Sequence, residues 1–493
     1  MCTPNGVVRS WAMSTRPARE LGRRWPSIDD AWVAVGLLVP VIVTFLTRTM
    51  AIDLAYQIRA GQDMLASHAV ARIDTFTFTQ AGQPWLNQQW GAQVLLGLTQ
   101  QVGGWTAVLV LRGLLVFGVV LFLYLACREM GASRRAAALL TIAGWLTGIE
   151  IVDQLRPQQF AFVLFSFCVW LLARRGDHPR GLWLIPVAVI PWASLHGSFP
   201  LVFVLLLFAW LQDRRATPGL ARTDALVGAA SLVASFIGPF GLQVWSYVWD
   251  LSTHPVVSHQ VAEWGPPSIH TWTGRFFFLT MFAITAYLAR RRPPAGWIPL
   301  LELGAFAFLG LLAIRGVVWW GLYAPVVVAG LLQEPDRARS ESDRSPINAI
   351  VIGSLVLLTL GAATTHLGTD PTTGGPDGLS YAPTDLIDAA AASVPPGSHA
   401  FVDELYASWS EYRAPGLPVA VDPRIEIFPK STWDDYLSVS AGKAGWQAIL
   451  DRWDIQVLVL DPDQSTGLLS VIGDDPGWRQ VLHTDHGSVY VRA

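Results

Sequence analysis

The stretch "AIDLAYQIRAGQDMLASHAVARIDTFTFTQAGQPWLNQQWG", residues 51–91, decides how the fold of this chain is interpreted. It follows a long apolar run, residues 30–50, and precedes the next one. A carboxylate, Asp53, comes directly after the first run, and a mixture of polar and aromatic residues follows it. A simple spacer between two membrane spans needs none of these residues. The stretch therefore predicts a structured loop at the membrane boundary.

The composition indicates a membrane protein with a soluble part at its end. Only 14% of the 493 residues are charged and 52% are hydrophobic, whereas soluble domains carry about 25% charged residues. The net charge of −3 gives no broad basic surface, so we expect no nucleic-acid partner. The three cysteines, Cys2, Cys127 and Cys168, are far apart in sequence and predict neither a disulfide framework nor a metal knuckle.

The apolar runs predict about eleven transmembrane helices, since a span needs roughly 20 apolar residues. Two of the runs, 181–195 and 199–212, are short for a bilayer. The predicted spans lie near 30–50, 104–127, 135–152, 157–174, 181–195, 199–212, 225–247, 275–290, 297–314, 317–332 and 346–366.

Arginine clusters set the predicted orientation of these spans. They precede the first span and fill alternate loops, among them "REMGASRR" (128–135) and "QEPDRARSESDR" (333–344). Residues 1–29 are then a cytoplasmic tail, and 30–367 form a multi-pass domain of the cell membrane. The first external loop covers 51–103, and 368–493 lie outside the cytoplasm.

Two further segments have a predicted structure. Residues 87–104 are too polar to span and predict an amphipathic helix in the membrane interface. After a linker rich in Gly, Pro and Thr, strand-like and helical stretches alternate in 368–493, which predicts a small α/β domain. The strands are expected over 399–403, 418–422, 455–461 and 488–493, and the helices near 384–394, 431–440, 444–453 and 464–473.

The order of several short phrases, together with this layout, resembles the GT-C superfamily of polytopic glycosyltransferases. The similarity is to a bacterial branch that neighbours the protein-mannosyltransferase-like and aminoarabinose-transferase-like families. The phrases are "DLAYQIRAGQDML", "DTFTFTQAGQPWLNQQW", "LRPQQF", "LHGSF", "EWGPP" and "VDPRIE". The resemblance implies an α-helical polytopic fold, a lipid-linked sugar donor and a catalytic acid in the first external loop.

Asp53 is the predicted catalytic residue, because a carboxylate near the acceptor hydroxyl can act as general base. The alternative is an interfacial Asp that ends a helix and faces water. The resemblance also makes Asp74 a second catalytic candidate, although an N-cap or turn role suits it equally. Arg59 is a candidate for holding Asp53 or the donor phosphate, or else a solvated helix arginine. The loop has no adjacent acidic pair, so a divalent metal is only one possibility, and no metal ligand is assigned.

Two arginines are predicted to bind the donor phosphate. Arg156 lies in "GIEIVDQLRPQQF" and Arg315 in "AIRGVVWW", each at the end of an apolar run. A guanidinium suits a phosphate because it is planar, always charged and bidentate. The alternatives are a structural pair of Arg156 with Asp153 or Glu150, and snorkelling of Arg315 to the headgroups.

His196, Glu263 and Trp264 are predicted to contact the substrate. His196 ends a short span beside Gly197, where the backbone can approach a ligand, but a hydrogen-bonded core histidine is the alternative. Trp264 offers a ring face for a sugar and Glu263 an acceptor for hydroxyls, while an interfacial tryptophan anchor is common. In the tail, "AVDPRIEIF" places polar residues after a strand, either as a ligand loop or as a local salt bridge.

The predicted function is transfer of a hexose or pentose from a polyprenyl-phosphate donor to an extracytoplasmic glycan, lipid or protein. The lipid bilayer supplies the donor, so a nucleotide and an ATP site are unnecessary; no cofactor is assigned, and a divalent metal is possible. The alternative is a non-enzymatic transporter, flippase or assembly scaffold with the same architecture. Charged residues near the external ends of the spans favour the enzyme, because transporters often carry such residues in mid-span.

Overall fold

A computed structural model describes residues 25–253, 262–293, 296–332 and 343–493. Most of the tail predicted over 1–29, and residues 333–342 of an arginine-rich loop, lie outside this description. The helices of the first part are α1 (Ile28–Leu46), α2 (Leu54–Ser67), α3 (Trp90–Glu129), α4 (Arg134–Thr147), α5 (Ile149–Val152), α6 (Pro157–Ala173), α7 (Leu184–Leu195), α8 (Leu201–Ala216), α9 (Pro218–Ala234), α10 (Gln243–Thr253), α11 (Trp272–Arg291), α12 (Trp297–Leu312), α13 (Ile314–Leu332) and α14 (Pro346–Ala362).

Nine of the eleven predicted spans each coincide with one of these helices within the described ranges, while 135–152 covers both α4 and α5. By length and composition, α1, α3 and α13 are able to cross a membrane, and α6, α12 and α14 are shorter apolar helices. The boundary of one prediction is wrong. The run 225–247 is not one helix, because α9 ends at Ala234 and α10 begins only at Gln243. The intervening "GPFG", residues 238–241, contains a proline, whose missing N–H interrupts a helix.

The polar helix predicted over 87–104 is present as the first part of α3. The helical backbone breaks at Gly103 and Gly104, and Gly104 has φ 61° and ψ −158°. Only glycine adopts this conformation without steric cost. The break separates residues 90–102 from the apolar continuation of α3, so the polar segment takes its own direction.

The tail forms the predicted small α/β unit. Its four-stranded sheet has the order β3 (His399–Val402), β4 (Ile455–Leu460), β6 (Gly487–Arg492), β5 (Trp478–Thr484), with only the β3–β4 pair parallel. The expected strand at 418–422 is reduced to isolated bridges at Val419, and β5 was not predicted. The helices are α15 (Thr384–Ser393), α16 (Glu404–Arg413), α17 (Lys430–Ser440), α18 (Trp446–Arg452) and α19 (Thr466–Ile472).

The first external loop and the tail share one hydrophobic core. A two-residue parallel pair joins β1 (Thr49–Met50) to β2 (Leu379–Ser380). Buried residues of α2, such as Leu54 and Ile58, belong to the same cluster as Leu386 and Trp409 of the tail. Burial of apolar area is the main favourable term in folding, so this core fixes the tail against the loop.

Candidate active site

A cavity of about 300 Å³ opens where the loop 51–103, the ends of several helices on the same side and the tail meet. Its lining combines residues from all three parts of the chain, and many of them are charged or hydrogen-bonding. The lining residues are Ile52, Asp53, Tyr56, Gln57, Gln89, Arg156, Pro157, Gln158, His196, Tyr247, Leu251, Glu263, Trp264, Arg315, Glu404, Pro423, Arg424, Ile425 and Glu426.

Asp53 lies at the N-cap position of α2, but its side chain makes no capping hydrogen bond. The carboxylate instead lines the cavity, where its Oδ2 is 3.1 Å from Nε of Arg156. Its side chain is 25% exposed, so it remains open to the cavity. The position at a helix N-terminus favours a negative charge. Asp53 is therefore an ionic partner of Arg156 in the cavity wall.

Arg156 connects two carboxylates. Besides Asp53, it donates from Nη1 to Oε1 of Glu263 at 2.7 Å. Burial alone would lower the pKa of Arg156, but these two carboxylates outweigh it and raise that pKa above its usual value. The structural pairs considered for Arg156 are not formed.

The two acids considered as partners of Arg156 bind elsewhere. Asp153 accepts a hydrogen bond from Trp145 Nε1 at 3.0 Å, and Glu150 accepts one from the Thr273 N–H at 3.0 Å. Arg156 thus pairs with two of the carboxylates that line the cavity, Asp53 and Glu263.

Glu263 bridges Arg156 and Arg315. Its Oε2 accepts a hydrogen bond from Arg315 Nε at 2.8 Å. Burial would raise the pKa of Glu263, but the two arginines hold it below its usual value. The guanidinium of Arg315 also stacks on Trp264, 5.4 Å from the ring centroid. Within the described residues, the two terminal nitrogens of Arg315 have no hydrogen-bond partner.

His196 lines the same cavity just after the end of α7. Its Nδ1 accepts a hydrogen bond from the Ser198 backbone N–H at 3.2 Å, so the ring proton is carried by Nε2. Burial and the nearby charge of Arg315 lower the pKa of His196 to about 3. The imidazole is therefore neutral at physiological pH and able to donate one hydrogen bond.

The structure thus brings together six of the eight predicted site residues, and Arg59 and Asp74 stay outside the cavity lining. Arg59 donates from Nε to Asp63 at 3.0 Å, one helical turn along α2. The geometry is that of the solvated helix arginine considered above, and its predicted phosphate contact finds no support in this arrangement.

Asp74 is almost completely buried and ion-paired to Arg424 at 2.5 Å. Its carboxylate also accepts hydrogen bonds from the Phe76 N–H and from Thr77. This is the turn role considered for it, with the tail arginine as an additional partner, so the arrangement favours positioning over catalysis. Arg424 also pairs with Asp422 and packs over Trp85, 4.5 Å from the ring centroid.

Several lining residues were not predicted. Tyr56 follows Asp53 by three residues, so a helical reading of the loop could have found it. Arg424 and Glu426 belong to the "VDPRIE" phrase, which was considered as a ligand loop. Nothing in the local sequence around Glu404 indicates that it reaches the cavity.

No metal site emerges from the geometry. The part of the chain that the structure describes contains no group of three His, Cys, Asp or Glu residues suited to hold an ion. In the cavity, Asp53 and Glu263 are both engaged by arginines. Among the described residues no ligand set is available for the possible divalent metal, and no chemical step is assigned to it.

Comparison with known proteins finds similarity in structure only. No protein-family model matches the sequence, and no curated protein matches it. Three solved structures superpose over nearly the whole chain. The chain has a GT-C-like fold.

The three structures are all far from this chain in sequence. Oligosaccharyltransferase AglB from Archaeoglobus fulgidus, in complex with an inhibitory peptide and a dolichol-phosphate, matches with a TM-score of 0.53 and 11% identity over 94% of this chain and 75% of AglB. Arabinofuranosyltransferase AftD from Mycobacteria matches with a TM-score of 0.55 and 17% identity over 95% of this chain and 42% of AftD. ArnT from Cupriavidus metallidurans matches with a TM-score of 0.50 and 15% identity over 95% of this chain and 99% of ArnT. At these identities the likeness establishes a polytopic helical membrane fold, while activity and substrates are a matter for proposal.

Proposed function

We propose that this protein is a glycosyltransferase that moves a sugar from a polyprenyl-phosphate donor to an extracytoplasmic acceptor. One observation carries the proposal: Asp53, Arg156 and Arg315, which are far apart in sequence, line one cavity next to the outer ends of apolar helices. The fold shared with AglB, AftD and ArnT supports it. So does the dolichol-phosphate found with AglB, because it is a lipid phosphate of the proposed chemical class.

In the proposed reaction, Asp53 takes the proton from the acceptor hydroxyl. The acceptor oxygen then uses its freed electron pair to form a bond to the anomeric carbon. The bond between that carbon and the phosphate oxygen breaks, and the lipid phosphate leaves with the electron pair as an anion. Asp53 lowers the barrier by removing the proton as the new bond forms. The arginines stabilise the negative charge that develops on the leaving phosphate.

Arg315 is the better candidate of the two arginines for binding the donor phosphate. Arg156 already bonds to Asp53 and Glu263, whereas the two terminal nitrogens of Arg315 remain without partners in the described structure. A guanidinium binds phosphate oxygens bidentately through such a pair of N–H groups. Arg156 then holds Asp53 and Glu263 beside the donor. His196 Nε2–H, which has no partner among the described residues, would donate to a sugar hydroxyl.

The proposed orientation follows from the distribution of arginines. With the arginine-rich loops in the cytoplasm, the cavity and the tail face the opposite side of the membrane. The lipid of the donor would then enter from the bilayer, and its headgroup would meet the arginines at the outer boundary.

Replacement of Asp53 tests the base. Asp53→Asn keeps the shape of the side chain and removes the base, so transfer from a radiolabelled polyprenyl-phosphate sugar should fall by at least about a hundredfold. Asp63→Asn is the matched control, because Asp63 lies on the same helix, outside the cavity lining, and pairs with Arg59. Unchanged transfer by Asp53→Asn would remove Asp53 as the base. Wild-type protein that transfers no sugar from any donor would favour the transporter, flippase or scaffold.

A further inference from the structure

The cavity has two walls of different charge. The wall from the membrane part carries Arg156 and Arg315, whose charges are matched by Asp53 and Glu263 of the same wall. The wall from the tail carries two carboxylates, Glu404 and Glu426, together with Arg424, whose charge is already balanced by Asp74 and Asp422. The arginine wall suits the anionic donor, so the acidic wall is left to face the other substrate.

Glu404 and Asp53 line the same cavity, and a contact one helical turn from Glu404 joins the two helices that carry them. Ser408 of α16 is fully buried, donates to the Ala51 carbonyl at 3.1 Å and accepts from the Tyr56 N–H at 2.9 Å. These two backbone groups lie on either side of Asp53 in sequence. Because residues i and i+4 share one face of a helix, the side of α16 that carries Glu404 also faces the start of α2.

The start of α16 is held firmly from its other side. The Glu404 N–H donates to Tyr436 Oη at 2.9 Å, and Tyr436 Oη donates to Asp403 at 3.3 Å. Asp403 also accepts a hydrogen bond from Ser465 at 2.7 Å. These bonds hold the backbone at the start of α16, and the Glu404 side chain lines the cavity from there.

Glu404 is the carboxylate of the cavity that has no partner within the described residues. Asp53 and Glu263 pair with arginines, and Glu426 accepts a hydrogen bond from Tyr247 Oη at 3.3 Å. Among the residues that the structure describes, Glu404 forms a hydrogen bond only through its backbone N–H. A partly buried carboxylate that faces a cavity without a partner carries an energetic cost that a ligand donor would remove.

We propose that Glu404 binds the acceptor, by accepting a hydrogen bond from an acceptor hydroxyl or ammonium group beside Asp53. The site would then select neutral or amino-bearing glycans and reject those that carry a carboxylate, since like charges at close range repel. This inference rests on the proposed function and names the class of acceptor for it.

The ionisation of Glu404 gives a second, independent readout. Burial raises its pKa to about 7, and the charges of Asp53, Asp422 and Asp403 add to the effect. Tyr436 also faces this end of α16. As the pH rises from about 6 to 8, the ionised fraction of Glu404 increases. Affinity for an amino-bearing ligand should rise over the same range, because the amine of such a sugar stays largely protonated there.

The test uses the full-length protein in nanodiscs and measures binding of three matched methyl glycosides. One is neutral, one carries an amine and one carries a carboxylate. Wild type should bind the amino glycoside at least about tenfold more tightly than the carboxylate form, a factor that corresponds to about 1.4 kcal/mol. Glu404→Gln should reduce this ratio to about twofold or less. Asp434→Asn is the control, because Asp434 is exposed on the same tail and pairs with Lys430.

Two results would overturn the inference. One is a preference that survives in Glu404→Gln, and the other is wild-type affinity for the amino glycoside that does not rise with pH. The second measurement needs no variant, so it decides the matter even if Glu404→Gln fails to fold. A wild type that prefers the amino glycoside but transfers no sugar would contradict the proposed function alone. Sugar transfer without any charge preference would contradict only the role of Glu404.

Discussion

At the scale of single residues, the cavity contains a chain of alternating charges that runs from Asp53 through Arg156 and Glu263 to Arg315. The four formal charges cancel, so the empty site costs little electrostatic energy. In the proposed function, an arriving phosphate would bind the terminal nitrogens of Arg315 and compete with Glu263 for that guanidinium. The ion pair of Arg156 with Asp53 would stay in place and hold the base beside the donor.

Removal of Arg315 should weaken donor binding more than it slows chemistry. Charge-assisted hydrogen bonds contribute about 1.5–3 kcal/mol each, so Arg315→Ala should raise the donor KM by about tenfold to a hundredfold. Arg315→Lys should be intermediate, because it keeps the charge and loses the planar fork. Steady-state kinetics with a polyprenyl-phosphate sugar measure the effect. Arg275→Ala, outside the cavity lining, is the control, and an unchanged donor KM in Arg315→Ala would exclude this residue as the phosphate ligand.

Arg424 should matter for stability, because it is the cation of a buried cluster. Its side chain is 1% exposed, and its partners Asp74 and Asp422 are equally buried. Arg424→Met leaves those carboxylates without their cation, so we expect a loss of about 3–5 kcal/mol in unfolding free energy. Arg413→Ala removes an exposed pair with Asp388 and should cost at most about 1 kcal/mol. Thermal unfolding in detergent measures both, and equal melting temperatures would argue against the buried cluster.

At the scale of helices and loops, much of the fold and part of the site were predictable from sequence. Apolar runs of sufficient length indicate spans, and polar residues next to their ends indicate a boundary site. Arg156 and Arg315 were found in this way. Glu404 was not, because it reaches the cavity only through the docking of α16 on α2 at Ser408, a contact without a local sequence signal.

Asp74 illustrates the same limit. The residue was considered both for catalysis and for a turn, and its sequence neighbours could not distinguish the two. What distinguishes them is Arg424, its ion-pair partner 350 positions along the chain. A pairing over such a distance depends on the shared core of loop and tail, which no local pattern encodes.

The contact between α2 and the polar first part of α3 depends on glycine. A Cβ added at Gly61 would lie 1.8 Å from the Gln93 carbonyl oxygen, and backbone atoms cannot move aside easily. Gly61→Ala should therefore destabilise the protein by about 1–3 kcal/mol and displace Asp53 at the start of α2. Gly353→Ala is the control, because nothing lies within 4 Å of that position in α14. Thermal unfolding should separate the two variants, and equal stability would argue against this packing.

At the scale of the whole molecule, the cavity exists only where the membrane part and the tail meet. The tail contributes Glu404, Arg424 and Glu426 to the lining, and its apolar residues complete the core around α2. A tail without a role in the site would need neither the residues in the cavity lining nor the apolar contacts with α2. The arrangement instead requires the loop, the outer helix ends and the tail to be on one side of the membrane.

That requirement predicts which positions a membrane-impermeant maleimide will label in intact cells. Asp474→Cys, on the exposed surface of the tail, should react from outside, and Gly176→Cys, between α6 and α7, should react only after the cells are opened. Both substitutions are made in a protein that also carries Cys2→Ser. The two cysteines that remain, Cys127 and Cys168, are buried and should not react with the maleimide. Gly176 has open space for a side chain, so a cysteine fits there. The substitution removes no arginine, so the arginine distribution that orients the protein in the membrane stays unchanged. Labelling of both positions in intact cells, or of Gly176→Cys alone, would contradict the orientation, because the cavity would then open to the cytoplasm, away from the proposed acceptor.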